Sequence, residues 1–283
     1  VSTKPVLPFV EMMVTQACNL SCHGCTNYSD LAHSGYLTWE EGKDQILPWL
    51  ERVDIPDFGI LGGEPLMNPG IIDWLTGLRK LMPDTQIRFT TNGLLLHKNL
   101  EILDIMQDLG NIVFKIAVHE NNTDLENIIQ KVFDRFAWEP VAEFGIDRFK
   151  TKNNLRFYVR RPDIFYKTYL GTYDNMRPHN SDPVQAIEIC CQRYCPLLYK
   201  NKIYKCSTGG LLEETLSRFG FPNREEWAPY IPKGLSLDCS DNELSDFLDN
   251  FGKPDTICGQ CPTAKDTGSA IIHLENVSRK KIK

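Results

Sequence analysis

Several features that would place a chain in a common class are missing from these 283 residues. No uninterrupted apolar run is long enough to cross a bilayer, and no charged start leads into an apolar signal segment. The expectation is therefore a cytoplasmic protein with no membrane partner. Basic charge is not in excess either. The formal net charge is -6, and the terminal SRKKIK run, the one basic cluster, reads as a solvated tail, so no nucleic-acid partner is expected. No internal repeat is visible. The chain opens on Val1 and not on Met, which suggests a processed or trimmed start and leaves a lost leader open. Charged and hydrophobic fractions of 24% and 42% are ordinary for a globular chain of a length that buries a sizeable core without crosslinks.

What the sequence does have in number is cysteine, with ten. In a reducing compartment such thiols stay unpaired, so they need a purpose other than disulfides. They are clumped as Cys18, Cys22 and Cys25; as Cys190, Cys191, Cys195 and Cys206; and as Cys258 and Cys261, with Cys239 alone. Clumping at ligand spacing points to metal or clusters.

Apolar periodicity divides the chain. Strand-like stretches at 8–14, 57–61, 87–91 and 112–118 alternate with helical ones, the helices announced by Thr38 with Glu41, by Ile71 to Met82, by Ile102 to Leu109 and by Thr123 with Glu126. This rhythm implies right-handed βαβ units and an α/β fold with a parallel sheet, an open or closed barrel. After about residue 138 the rhythm degrades, leaving one strand at 155–159. From Cys190 the composition becomes cysteine-rich, with a hairpin at 197–206 and a helix at 241–251 capped by Ser240 and Glu243. The expected division is a barrel over 1–185 and a small α+β cysteine-rich domain over 186–283.

CNLSCHGC puts three thiols at i, i+4 and i+7 just after the first strand, where a parallel barrel carries its functional loops. Three thiolates can hold three irons of a [4Fe–4S] cube and leave the fourth to a small molecule. The alternative is a tetrahedral zinc site completed by His23.

With these cysteines, Gly62-Gly63-Glu64-Pro65 at the second strand end and Thr91-Asn92-Gly93 at the third, the chain resembles the radical S-adenosylmethionine (SAM) superfamily. The resemblance implies a partial (β/α)6-type TIM barrel and a SAM-binding [4Fe–4S] cluster on Cys18, Cys22 and Cys25. It implies that Gly62, Gly63 and Glu64 meet the methionine end of SAM, with Thr91, Asn92 and His119 as further cofactor contacts. Two glycines in a row let a ligand reach the backbone; a glycine turn with a solvated Glu64 is the plainer alternative. The pattern departs from the family at Gly24, where an aromatic residue is usual, and at Ala117, where a serine is common.

The second cysteine group resembles the twitch or SPASM-type domain, which implies an auxiliary [4Fe–4S] cluster on Cys195, Cys206, Cys258 and Cys261, with Cys190 or Cys191 as alternates to Cys195. Asn201 stands where the hairpin turn usually has Gly. A zinc knuckle on the same thiols is the alternative.

By resemblance the chain is an enzyme, of oxidoreductase type, that cleaves SAM to a 5′-deoxyadenosyl radical and takes a hydrogen atom from a peptide or small metabolite. A group-transfer radical SAM enzyme and a non-catalytic iron–sulfur or zinc protein are the alternatives. Implied partners are an external electron donor such as flavodoxin or ferredoxin and, for a peptide substrate, a separate recognition protein. No catalytic residue can be named. Candidate substrate contacts are Arg156, Tyr158, Arg160, Tyr166, Tyr169, Tyr173, Arg177 and His179, and Arg160-Arg161 could grip a carboxylate or phosphate.

Overall fold

Strand and helix alternate along the first half because apolar positions recur first with period two and then near 3.6. The structure, a computed structural model, describes residues 3–31, 34–120, 122–143, 146–162, 164–171, 175–219, 224–272 and 277–279. Strand β1 (Val10–Thr15) and the short β2 (Leu20–Cys22) bracket the start of the cysteine loop. Helix α1 (Trp39–Leu50) follows, with Thr38 and Glu41 closing the expected capping box and Pro48 accommodated inside the helix. Then come β3 (Asp57–Gly62), α2 (Ile71–Leu81), β4 (Gln86–Thr91), α3 (Ile102–Leu109), β5 (Ile112–Ala117) and α4 (Thr123–Arg135). The cap of α4 is Asn122, one residue before the expected Thr123; its side chain accepts from Asp124 N at 2.9 Å.

Beyond α4 the rhythm changes because the chain reverses. Strands β6 (Glu139–Glu143) and β7 (Ile146–Lys150) pair antiparallel and lead into β8 (Leu155–Arg160). There follow β9 (Ile164–Tyr166), α5 (Pro183–Glu188), the hairpin β10 (Leu197–Tyr199) and β11 (Lys202–Tyr204), and helices α6 (Ser207–Gly210), α7 (Leu212–Phe219) and α8 (Arg224–Trp227). Helix α9 (Asp241–Asp249) carries the Ser240–Glu243 capping box, and β12 (Ala270–Ile272) and β13 (Val277–Arg279) end the described chain. The basic run thus begins inside β13, which pairs with β2 across the cysteine loop; residues 280–283 lie outside the described residues.

Nine strands form one sheet in the order β11-β10-β1-β3-β4-β5-β8-β7-β6. Strands β10, β1, β3, β4, β5 and β8 run parallel, and the edges β11 and β6 do not pair with each other, so the α/β sheet is open and only partly barrel-like. The hairpin read as cysteine-rich domain continues this sheet, since β10 pairs with β1. Its turn puts Lys200 and Asn201 at φ 49° and 64°, the two left-handed residues of a tight hairpin.

The two faces of the sheet differ. Phe89, Phe114 and Phe157 stack in register, with neighbouring centroids 6.1 and 5.5 Å apart, and join the main core under the helices. Arg88, Lys115, Tyr158 and Arg160 alternate with them and so face the other way. A second core around Met13, Tyr28, Tyr169, Leu212 and Trp227 packs the later helices against the cysteine loop. No helix among the described residues is long and apolar enough to cross a membrane.

Helices α1 and α2 interlock through two glycines. A Cβ on Gly42 would lie 1.9 Å from the Trp74 ring, and one on Gly77 would lie 2.2 Å from the Trp39 ring. Gly-to-Ala in a helix usually stabilises by about 1 kcal/mol. Overpacking reverses the sign here, so Gly42→Ala and Gly77→Ala are each expected to destabilise by about 1–3 kcal/mol, measured by urea denaturation.

Candidate active site

The site is built by laying the end of β1 on the end of β3. Gly63 N donates to Thr15 O at 2.9 Å and Glu64 N to Ala17 O at 2.8 Å. A Cβ on Gly62 would lie 2.4 Å from Thr15 O, and one on Gly63 would lie 2.1 Å from Ala17 O and 2.9 Å from Cys18 Cβ. The glycines therefore admit the cysteine loop's own backbone. Beside them Glu64 is fully buried. Its Oε1 accepts from Leu66 N at 3.1 Å and Thr91 Oγ1 at 2.7 Å, and its Oε2 accepts from Asn92 N at 2.7 Å. Its carboxylate ties one strand-end turn to the next. Burial raises its pKa to about 7 against those three donors, which favour the ionised form.

Cys18, Cys22 and Cys25 line a cavity of about 440 Å³. Cys25 N donates to Cys22 O at 3.1 Å, and Gly24, at φ 77°, donates to Asp30 Oδ2 at 3.1 Å. That left-handed turn suits the glycine found where the family has an aromatic residue. Cys18 Sγ accepts from Leu20 N at 3.4 Å, and Asn92 Nδ2, 4.0 Å from the same sulfur, donates to Asn19 Oδ1 at 2.7 Å. Burial, with Asp30 adding to it, pushes the Cys25 thiol up to about 11.

The second cysteine group lines the same cavity, through Cys190, Cys191, Cys206, Cys258 and Cys261. Burial pushes Cys190 up to about 11 and Cys206 up to about 12, and Cys258 is an electrostatic neighbour of both. Burial raises Cys261 well above the ordinary thiol range, and Cys206, Cys190 and Cys258 add to it. Cys195 is absent from the cavity lining; its thiol is raised by burial and by Glu11 of β1. Cys190, Cys191, Cys206, Cys258 and Cys261 thus share one cavity, and Cys195 neighbours Cys191 from outside its lining. Cys239 is remote, accepting from Arg52 Nη1 at 3.0 Å.

A polar bridge joins the two groups. Asn27 Nδ2 donates to Gly62 O at 3.1 Å, Ser207 Oγ to Asn27 Oδ1 at 2.6 Å, and Gln192 Nε2 to Ser207 Oγ. Thr208 Oγ1 reaches both Gln192 Oε1 at 2.8 Å and Thr26 O at 2.9 Å.

Of the other expected residues, Gly62, Gly63, Thr91, Asn92 and His119 line the cavity, as does Ala117, and His23 does not. Among the substrate candidates Arg160 and Tyr166 line it. Arg156 instead bonds Asn154 and Gln86, Tyr169 donates to Asp30, and His179 bonds Lys167 O. Tyr158 and Arg177 are outside the lining, and Tyr173 lies outside the described residues. Arg161 pairs with Glu126 at 2.7 Å. Sequence reasoning missed Asp30, Lys115, Thr168 and Gln260.

Does this lining fit an iron–sulfur cluster and SAM? Among the described residues no three His, Cys, Asp or Glu side chains converge as a single-ion metal site. A cubane spreads its thiolates over separate irons, and seven of the cavity's soft donors are the cysteines just described from the two groups, without Cys191. Thr168 Oγ1 and both amide atoms of Gln260, buried and lining the cavity, have no hydrogen-bond partner among the described residues, as suits a polar occupant. The residues fit.

Glu64 also sets a pH dependence. Its pKa is about 7 in the fold against an ordinary 4.5, so folding takes up a proton between those values. Its contribution to stability is full below about 4.5 and is lost as pH rises through about 7. Glu64→Gln is expected to flatten that fall. Glu64→Ala is expected to cost about 1–3 kcal/mol for each donor left without an acceptor. Urea denaturation across this pH range checks both.

Residues 12–150 match the model of the radical SAM superfamily. A GTP 3′,8-cyclase of Rhodopirellula baltica is 29% identical over 142 residues, covering 49% of this chain and 36% of that protein. Another, of Campylobacter fetus subsp. fetus, is 25% identical over 166 residues, covering 58% and 48%. The chain thus spans less than half the length of these curated relatives. The crystal structure of BtrN in complex with AdoMet and 2-DOIA is 15% identical, with a TM-score of 0.52 over 93% of this chain and 95% of that one, a likeness of fold. The cysteine loop, the paired glycines and the Thr91-Asn92 turn all fall within the matched span, and the chain carries over residues 12–150 a radical SAM superfamily domain.

Proposed function

We propose that the chain is a radical SAM enzyme whose Cys18, Cys22 and Cys25 hold a [4Fe–4S] cluster beside a bed for SAM formed by Gly62, Gly63, Thr91, Asn92 and His119. Cys190, Cys206, Cys258 and Cys261 hold an auxiliary [4Fe–4S] cluster in a twitch-like region within 186–283. The observation that carries this reading is that cysteines from both ends of the chain line one cavity.

When bound, the cluster and SAM supply a 5′-deoxyadenosyl radical that takes a hydrogen atom from the substrate. The chain's own residues orient and enclose. Glu64 holds the Asn92 turn in place, Asn92 keeps an amide near the Cys18 sulfur, and the Asn27–Ser207–Gln192 bridge fixes the distance between the two cysteine groups. The substrate is a peptide or a small metabolite, and a small external protein such as flavodoxin or ferredoxin supplies the electron. The curated relatives' name, GTP 3′,8-cyclase, supports a rearrangement as readily as an oxidation.

After anaerobic reconstitution and reduction, the protein is expected to convert SAM to 5′-deoxyadenosine and methionine, and Cys22→Ala to abolish this. A loaded protein that leaves SAM intact would sink the reading. Iron analysis is expected to give about eight irons per chain, about four in Cys190→Ala and about eight in Cys195→Ala. The reverse outcome would return the fourth auxiliary ligand to Cys195.

A further inference from the structure

The cavity has a charge asymmetry that cysteine ligation does not use. Its lining includes Lys115, Arg160, Arg193 and Lys205 against one carboxylate, Asp30, in a chain whose net charge is -6. Two of these cations are engaged elsewhere. Arg193 Nε donates to Gly252 O at 2.8 Å, and Lys205 donates to Lys253 O while neighbouring the Cys190 and Cys206 thiols.

Lys115 and Arg160 lie away from the four proposed auxiliary ligands; the thiols they neighbour are Cys191, for both, and Cys195, for Lys115. In the β5–β8 register Lys115 faces Tyr158 and Ala117 faces Arg160, so the two cations lie diagonally on one face of neighbouring strands, a gap that two long side chains can span. Neither has an acid at ion-pair distance among the described residues. Arg88, on the same face, is held by both oxygens of Asp57. Glu11, an electrostatic neighbour of Lys115, also neighbours Arg88. Counting Glu11 as ionised and wholly assigned to this pair still leaves one positive charge over. Asp30 bonds Gly24 N and Tyr169 OH. Burial, with Arg160 adding to it, lowers the Lys115 pKa, and an anion between the two side chains relieves the cost of keeping both charged. The planar fork of arginine beside an ammonium suits a carboxylate or phosphate.

We propose, on the basis of the radical SAM reading above, that Lys115 and Arg160 bind an oxyanion of the substrate, so that this enzyme acts on a carboxylate- or phosphate-bearing molecule.

Calorimetric titration of the reconstituted, SAM-loaded protein with inorganic pyrophosphate and with succinate tests this. At least one of them is expected to bind, with affinity falling about tenfold to a hundredfold in Arg160→Gln and in Lys115→Gln. Arg161→Gln, which loses only the pair with Glu126, is expected to bind like the wild type. If neither anion binds the wild type, or Arg160→Gln binds as tightly, the proposal is overturned. It is overturned equally if Arg160→Gln weakens SAM and leaves the added anion unaffected, since the pair would then hold the carboxylate of SAM itself. Should Arg160→Gln not fold, Arg160→Lys keeps the charge without the fork; a smaller loss supports the proposal and unchanged affinity contradicts it. Failure of the wild type to cleave SAM would count against the radical SAM reading, whereas the titration judges the anion site.

Discussion

Two strand ends that touch without side chains between them hold this site together. The backbone from Thr15 to Cys18 rests directly on Gly62 and Gly63, closer than any Cβ would permit. Glu64, immediately after, spans from that contact to the Thr91-Asn92 turn. Cys18 therefore sits where the sheet edge puts it, and a loop of eight residues with three thiols is anchored at its base to the most regular part of the fold. A buried carboxylate with three donors is costly to desolvate and costly to remove, which gives the junction both rigidity and a dependence on proton concentration.

The second cysteine group reaches the same cavity through topology. Strand β10 pairs with β1, so the segment leading into it, Cys190 to Cys195, passes beside the strand that launches the first cysteine loop. Asn27, Ser207, Gln192 and Thr208 then join the two segments by side-chain hydrogen bonds. Raised thiol pKa values at Cys25, Cys190 and Cys206 mean that ligation through them must expel protons, so cluster loading and proton release are coupled.

Local signals were legible in the sequence. The capping boxes at Thr38 and Ser240 and the parallel strands depend on residues a few positions apart, and they stand where the pattern put them, while the cap of α4 falls one residue earlier than expected. The motif positions lining the cavity were legible for the same reason. What escaped depends on neighbours far away in the chain. That Glu64 is held by Thr91 and Asn92 depends on β4, and that Cys190 lines the cavity while Cys195 does not depends on how the segment before β10 turns. The antiparallel β6–β7 pair lies where apolar periodicity is weak. Lys115 could have been found: IVFKIAV is a parallel strand with a cation at one inward position, and strands buried on both faces normally read as unbroken apolar runs. Alternation in IRFTT and LRFYV carries the same message, that the face opposite the phenylalanines is polar.

The central claim is that the amino-terminal thiols leave one iron free for SAM. Electron–nuclear double resonance on the reduced protein, with SAM labelled with ¹⁵N at its amino group, addresses it directly. The account predicts a nitrogen coupling to the cluster that is present with Cys190→Ala and lost with Cys18→Ala. A reduced cluster whose spectrum is indifferent to SAM would contradict it.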